Sequence, residues 1–135
     1  MMKHFTISEL CASDTAKRKG ISNEPTAAIA DNLVRLTESI LDPLREAYGK
    51  PITVTSGYRC RKLNMAVGGV SNSQHLEGKA ADIHGKPNTP EENKKLFDLI
   101  QELELPFDQL IDERDLTWVH VSFDRYRQRG QVIKL

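Results

Sequence analysis

The chain has few cysteines, few aromatic residues, no excess of charge and no long apolar run, and each shortage excludes a class of protein. Two cysteines in 135 residues, Cys11 and Cys60, are too few and too scattered for a disulfide framework or a four-sulfur zinc site. They read as reduced thiols, and neither has a histidine placed near it in a recognisable nucleophile motif. Lys plus Arg and Asp plus Glu each number 19, so the formal net charge is zero. That balance gives no basic footprint for nucleic acid or an anionic membrane. A local cluster, Arg125, Arg127 and Arg129, reads as a solvated strand end. No stretch approaches the roughly 20 apolar residues that span a bilayer. The start, MMKHFTISELCASD, lacks the apolar segment of a secretory signal, so the chain is expected to remain in the cytoplasm as synthesised. With 39% apolar and 28% charged residues it has the composition of a globular protein, expected to form one domain over residues 1–135 and to be a monomer.

What is present is a run of helical and strand patterns of ordinary length. Ile29, Leu33, Leu36, Ile40 and Leu44 recur at spacings of three and four, predicting a main helix over residues 26–48. Pro25 suits its first turn, Gly49 its end, and Pro43 should kink or split it. PITVTSGYR alternates Ile52 and Val54 with Thr53 and Thr55, a strand. Residues 59–67 predict a short helix. KAADIHG predicts a second strand with Ala80, Asp82 and His84 on one face and Ala81 and Ile83 on the other. Thr89, Pro90 and Glu92 make a helix start with a capping box, and that helix should bury Leu96, Leu99, Ile100 and Leu103 before Pro106. FDQLI, TWVHVSF and QVIKL read as three further strands, the last at an edge. The fold class is α+β, a small antiparallel or mixed sheet covered by helices.

The chemistry concentrates in SNSQHLEGKAADIHG, residues 71–85, and in TWVHVSF. On the latter strand His120 shares a face with Trp118 and Ser122, while Val119, Val121 and Phe123 point the other way into the core. If the two strands are neighbours, Asp82 and His120 converge, and Gly78 lets the chain turn back so that His75 joins them. Two imidazoles and a carboxylate are the ligand set of a catalytic zinc site with a fourth position open to water, whose pKa zinc lowers to about 7. A solvated loop running into a strand explains the same residues, and spacing alone does not choose between the two.

SGYRCRKLNMAVGGVSNSQHLEGKAADI followed by FDQLIDERDLTWVHVSF resembles a family of zinc peptidases. Its members include bacterial D-Ala-D-Ala carboxypeptidases, vancomycin-resistance D,D-dipeptidases and phage L-alanyl-D-glutamate endopeptidases; the hedgehog signalling domain shares the fold. The N-terminal FTISELCASDTAKRKGISNEP is similar to that of small single-domain bacterial and phage members, so the likeness covers nearly the whole chain. It implies Zn2+ held by His75, Asp82 and His120, with Arg59 binding the polarised carbonyl or developing oxyanion and Ser73 bonding the peptide substrate. Trp118 is a candidate wall of the substrate cleft.

The general base departs from some relatives. Dipeptidases place a glutamate where this chain has Thr117, and carboxypeptidases and hedgehog place a histidine where it has Trp118. A glutamate ending the preceding strand, as in the small phage-like members, falls on Glu113, with Asp115 in reserve. His84 is expected to be exposed at its strand end, with a ligand or supporting role as the alternative. The resemblance implies an enzyme that hydrolyses an amide in the peptidoglycan stem peptide, of carboxypeptidase or endopeptidase type. Without a signal peptide, it would suit a phage-type lysis enzyme that acts once the membrane is breached, with the arginine cluster touching an anionic wall. The rival readings are a non-catalytic zinc module that binds wall peptide or a protein partner, and a metal-free structural domain of a phage particle.

Overall fold

The computed structural model describes residues 2–135. Helices α1 (Ile7–Leu10) and α2 (Asp14–Lys19) precede α3 (Ala27–Leu36), which continues through a π turn, Thr37–Leu41, into α4 (Asp42–Tyr48). Strand β1 (Thr53–Ser56), helix α5 (Arg61–Ala66), a 3-10 turn at Gln74–Glu77 and strand β2 (Ala80–His84) follow. Helix α6 (Pro90–Glu102) then leads to β3 (Gln109–Glu113), β4 (Trp118–Ser122) and β5 (Gln131–Lys134). No helix among the described residues is long and apolar enough to cross a membrane.

The long helix passes Pro43 by widening. Proline has no N–H to give the preceding turn, and the chain answers with the π turn immediately before it, where Thr37 Oγ1 donates to the Leu33 carbonyl at 2.8 Å. Pro25 lies outside the helix: Thr26 takes the cap, extended in backbone and accepting from Ile29 N at 3.2 Å. The capping box of α6 is half formed. Thr89 Oγ1 accepts from Glu92 N at 3.2 Å, but the Glu92 carboxylate turns to Tyr48, Lys50 and Lys95. Leu96 and Ile100 are buried as their spacing requires, Phe97 joins them, Leu99 packs half-buried against the same core, and Leu103, the C-cap where the helix ends, is exposed.

The five strands form one mixed sheet in the order β1-β2-β4-β3-β5, antiparallel except for β5, which runs parallel to β3 at the edge. One face carries Ala81, Ile83, Leu110, Val119 and Val121, which pack with Leu33, Leu36, Ile40, Leu44, Leu96 and Ile100 from the helices. Strand alternation therefore sends Asp82, Ile111, Glu113, Trp118 and His120 to the opposite face, away from the helical layer.

Chain entry into this core is tight where β1 ends. Tyr58 N donates to the Leu10 carbonyl at 2.9 Å, and a Cβ on Gly57 would overlap that carbonyl oxygen. Gly57→Ala should therefore lower stability by about 1–3 kcal/mol, the usual cost of overpacking a closed site. The urea unfolding midpoint measures it, and an unchanged midpoint would show that α1 yields freely.

Candidate metal centre

Strand register places Asp82 directly opposite His120 in the β2–β4 pair, where neighbouring side chains on one face lie close enough to share a ligand. His75 comes from the 3-10 turn. Ser73 Oγ caps that turn by accepting from His75 N at 3.1 Å, and Gly78 closes it at φ +71. A side chain at 78 would be strained in that left-handed conformation and would press on Ile29 Cγ2 at 2.9 Å. Asn32 Nδ2 donates to the Glu77 carbonyl at 2.9 Å, which holds the turn against α3.

The candidate ligand atoms of His75, Asp82 and His120 all lie within 4.8 Å of one another. Asp82 Oδ1 is 3.0 Å from His120 Nδ1 and 3.4 Å from His75 Nε2. The two imidazoles meet edge to face, centroids 5.1 Å apart at 70°. His75 Nδ1 sits 2.7 Å from the Gly57 carbonyl oxygen. That oxygen can only accept, so Nδ1 carries a proton and Nε2 is the ring nitrogen that faces the cluster. His75 is buried, while Asp82 and His120 open slightly to the cleft. Burial alone would raise the Asp82 carboxyl, but hydrogen bonds and charge from His120 and His75 outweigh it and hold the group well below the usual carboxylate range. Two imidazole nitrogens and a carboxylate oxygen, one ring oriented by a backbone carbonyl, are a donor set that fits a zinc ion with a position left over.

The cluster lies in a cleft of about 770 Å³ that also receives Arg59, Ser73, Glu113 and Trp118. Arg59 Nη2 donates to Ser73 Oγ at 3.3 Å, and its N–H anchors to the His75 carbonyl at 3.0 Å. Burial lowers the Arg59 pKa against the opposing pull of Asp82. Glu113 ends β3 opposite Trp118. Burial raises its carboxyl above the ordinary value, with His120 pulling down and Asp82 pushing up. Arg114 lies over the Trp118 ring at 5.5 Å. Among the described residues, Arg59 Nε, Gln74 Oε1 and Trp118 Nε1 are buried without a protein hydrogen-bond partner, all on side chains lining this cleft. Asp115 is exposed in the β3–β4 turn, outside the cleft. His84 stays apart from the three, its Nδ1 2.8 Å from the Gly85 carbonyl oxygen. Both cysteines are free and half-buried, and burial raises the Cys11 thiol.

Sequence reasoning missed Asp108. Its carboxylate is fully buried and takes Arg129 Nε at 2.7 Å, Arg129 Nη2 at 3.0 Å and Gln74 Nε2 at 3.0 Å. The Arg125–Arg129 cluster is thus no simple solvated strand end: Arg127 and Arg129 line the cleft, whereas Arg125 stacks on Tyr126. Twenty-one residues separate Asp108 from Arg129, and no local motif announces the pair. The Arg129 hydrogen bonds, against the cost of burial, hold the Asp108 carboxyl down at about 2. A carboxyl lowered on folding stabilises the fold above its unfolded value of about 4 and loses that contribution as pH falls toward 2. Asp108→Asn should cost about 3 kcal/mol at pH 7 and much less at pH 2.5. Urea unfolding at the two pH values checks this, and an equal cost at both would show that the charge is not what matters.

The Peptidase M15 family profile matches residues 3–122. A zinc D-Ala-D-Ala carboxypeptidase of Streptomyces albus G is 42% identical over 83 residues, 59% of this chain. The chain spans only 31% of that relative's length. With the match running from the N-terminal helices through the last residue of β4, the chain belongs to the Peptidase M15 family.

Proposed function

We propose that the chain is a zinc-dependent peptidase that hydrolyses an amide bond in the stem peptide of peptidoglycan. The observation that carries this reading is the meeting of His75, Asp82 and His120 in one cleft with a carboxylate, Glu113, and a half-buried guanidinium, Arg59. The name of the Streptomyces albus G relative supports both the ion and the substrate class.

His75 Nε2, Asp82 and His120 Nδ1 would hold the zinc ion. Bound zinc supplies a Lewis acid that polarises a carbonyl oxygen and lowers the pKa of water at its open position to about 7. Glu113 accepts the proton of the attacking water and delivers it to the leaving amine, the task for which a carboxyl raised by burial is suited. Arg59, its Nε–H unpaired in the cleft and its guanidinium held by Ser73, is the group to bind the carbonyl oxygen on which negative charge develops. Ser73 Oγ already accepts from His75 N and Arg59, which leaves its own O–H to donate to a substrate carbonyl. Trp118 walls the cleft, with its ring fixed by Arg114.

Protein purified without chelator should contain equimolar zinc and should digest muropeptides. The mass change names the bond: loss of a terminal alanine for a carboxypeptidase, or separation of L-Ala from D-Glu for an endopeptidase. Glu113→Gln should retain zinc while kcat falls by about 10²–10⁴-fold. Turnover retained in that variant removes Glu113 from the mechanism. Zinc-loaded wild-type protein that leaves every muropeptide intact would favour the non-catalytic binding module instead.

A further inference from the structure

Among the described residues, the N-terminal segment FTISELCASDTAKRKGISNEP supplies no side chain to the metal cluster or to the lining of the cleft around it. One of its residues nevertheless grips the segment that does. Asn23 lies in the loop between α2 and α3, and its amide meets the chain on both sides of Arg59. Nδ2 donates to the Tyr58 carbonyl at 2.9 Å, and Oδ1 accepts from Cys60 N at 2.7 Å. The other Nδ2 hydrogen goes to the carbonyl of Cys11, the C-cap of α1, at 2.9 Å. These partners fix which way round the amide sits, because the carbonyls can only accept and the Cys60 N–H can only donate.

Residues 57–60 belong to no strand or helix, since β1 has ended at Ser56 and α5 begins at Arg61. A single side chain therefore gives this turn the pairing that a neighbouring strand would otherwise supply. The grip matters because the Arg59 head is loosely tied. Its guanidinium has one bond, Nη2 to Ser73 Oγ at 3.3 Å, longer than the usual N–H···O distance. Its Nε–H is sealed from solvent without a protein partner. A buried donor left unpaired is not where the side chain would settle by itself, so the surrounding structure must impose the position. The Arg59 N–H bond to the His75 carbonyl and the two bonds from Asn23 on either side are what impose it. Asn23 itself opens on a separate hollow of about 560 Å³, shared with Cys11, Glu24 and Pro25.

We propose that Asn23 is a positioning residue for the peptidase reaction: it fixes the backbone of Arg59 from both sides and so aims the guanidinium at the substrate carbonyl oxygen. This rests on the role given to Arg59 in the peptidase reading. Asn23 touches no substrate and acts through Arg59 alone.

The test compares zinc-loaded wild type, Asn23→Ala, Arg59→Ala and the double variant on muropeptides, with rates normalised to bound zinc. Arg59→Ala should lower kcat by about 10²–10³-fold, as loss of an oxyanion donor does. Asn23→Ala should lower kcat about tenfold and leave KM nearly unchanged, since the interaction it aims is made in the transition state. In the Arg59→Ala background the same substitution should change kcat by less than about twofold, whereas a general structural defect would lower both backgrounds equally. Exchange of the Arg59 Nε–H with solvent, followed by NMR, gives a readout without turnover. It should quicken by about tenfold in Asn23→Ala, while the β4 amides of Val119 and Val121 keep their rates. If Asn23→Ala does not fold, Asn23→Asp, which keeps the acceptor for Cys60 N and loses both donors, takes its place with the same expectations. Equal losses in both backgrounds, or Nε–H exchange that the substitution leaves unchanged, overturns the proposal. If wild type cleaves no muropeptide, or Arg59→Ala cleaves at the wild-type rate, the reading of Arg59 falls, and the exchange rate still decides whether Asn23 holds it.

Discussion

Asp82 and His120 face each other across two antiparallel strands whose other faces are packed into the core, and the rest of the centre depends on that register. Ala81, Ile83, Val119 and Val121 fit only one way against the helices, because a slip of one residue would turn every side chain to the wrong layer. The hydrophobic effect thus sets the address of two polar groups it never touches. His75 is added by other means, through a capped 3-10 turn, a left-handed glycine and the Gly57 carbonyl that orients its ring. Core packing places one half of the cluster and local hydrogen bonding the other.

Electrostatics around the cluster is arranged in two tiers. In the cleft, burial and the imidazoles act on Asp82 in opposite directions, and the imidazoles win. Glu113, which makes no hydrogen bond to either imidazole, is moved the other way by burial, which outweighs the pull of His120. Two carboxylates on one sheet face are thereby given different proton affinities by their surroundings. Behind them Asp108 serves neither role. It fastens the segment after β4 to the segment before His75 and so lets residues outside the family match contribute to the cleft.

Much of this was legible in the sequence, for physical reasons that can be named. Period-two alternation in KAADIHG and TWVHVSF announced which residues face the core, and three-four spacing announced the long helix and α6. The meeting of His75, Asp82 and His120 needed one assumption, that two strands are neighbours, and the register β2–β4 supplies it. Other features were not legible. Leu103 keeps helical spacing but falls on the C-cap, where the helix ends and the side chain is exposed. Glu92 had two competitors for its carboxylate, the cap and the Tyr48–Lys50 pair, and tertiary partners prevailed. The Asp108–Arg129 pair joins the start of β3 to the approach to β5, and the parallel pairing of those strands is set by contacts that no local pattern encodes.

The turn that follows Glu113 has a consequence of its own. Arg114, Asp115 and Leu116 all adopt positive φ, at 49°, 55° and 62°, although none is a glycine. Each such residue carries a penalty of roughly 1–2 kcal/mol, offset here by Asp112 accepting from Leu116 N and by Asn93 donating to the Leu116 carbonyl. Glycine at these positions would relieve the backbone and also loosen the hinge from which the Glu113 carboxylate is presented. Robustness and aim are in opposition along these three residues, so this short turn is where a more durable version of the protein would become a less accurate one.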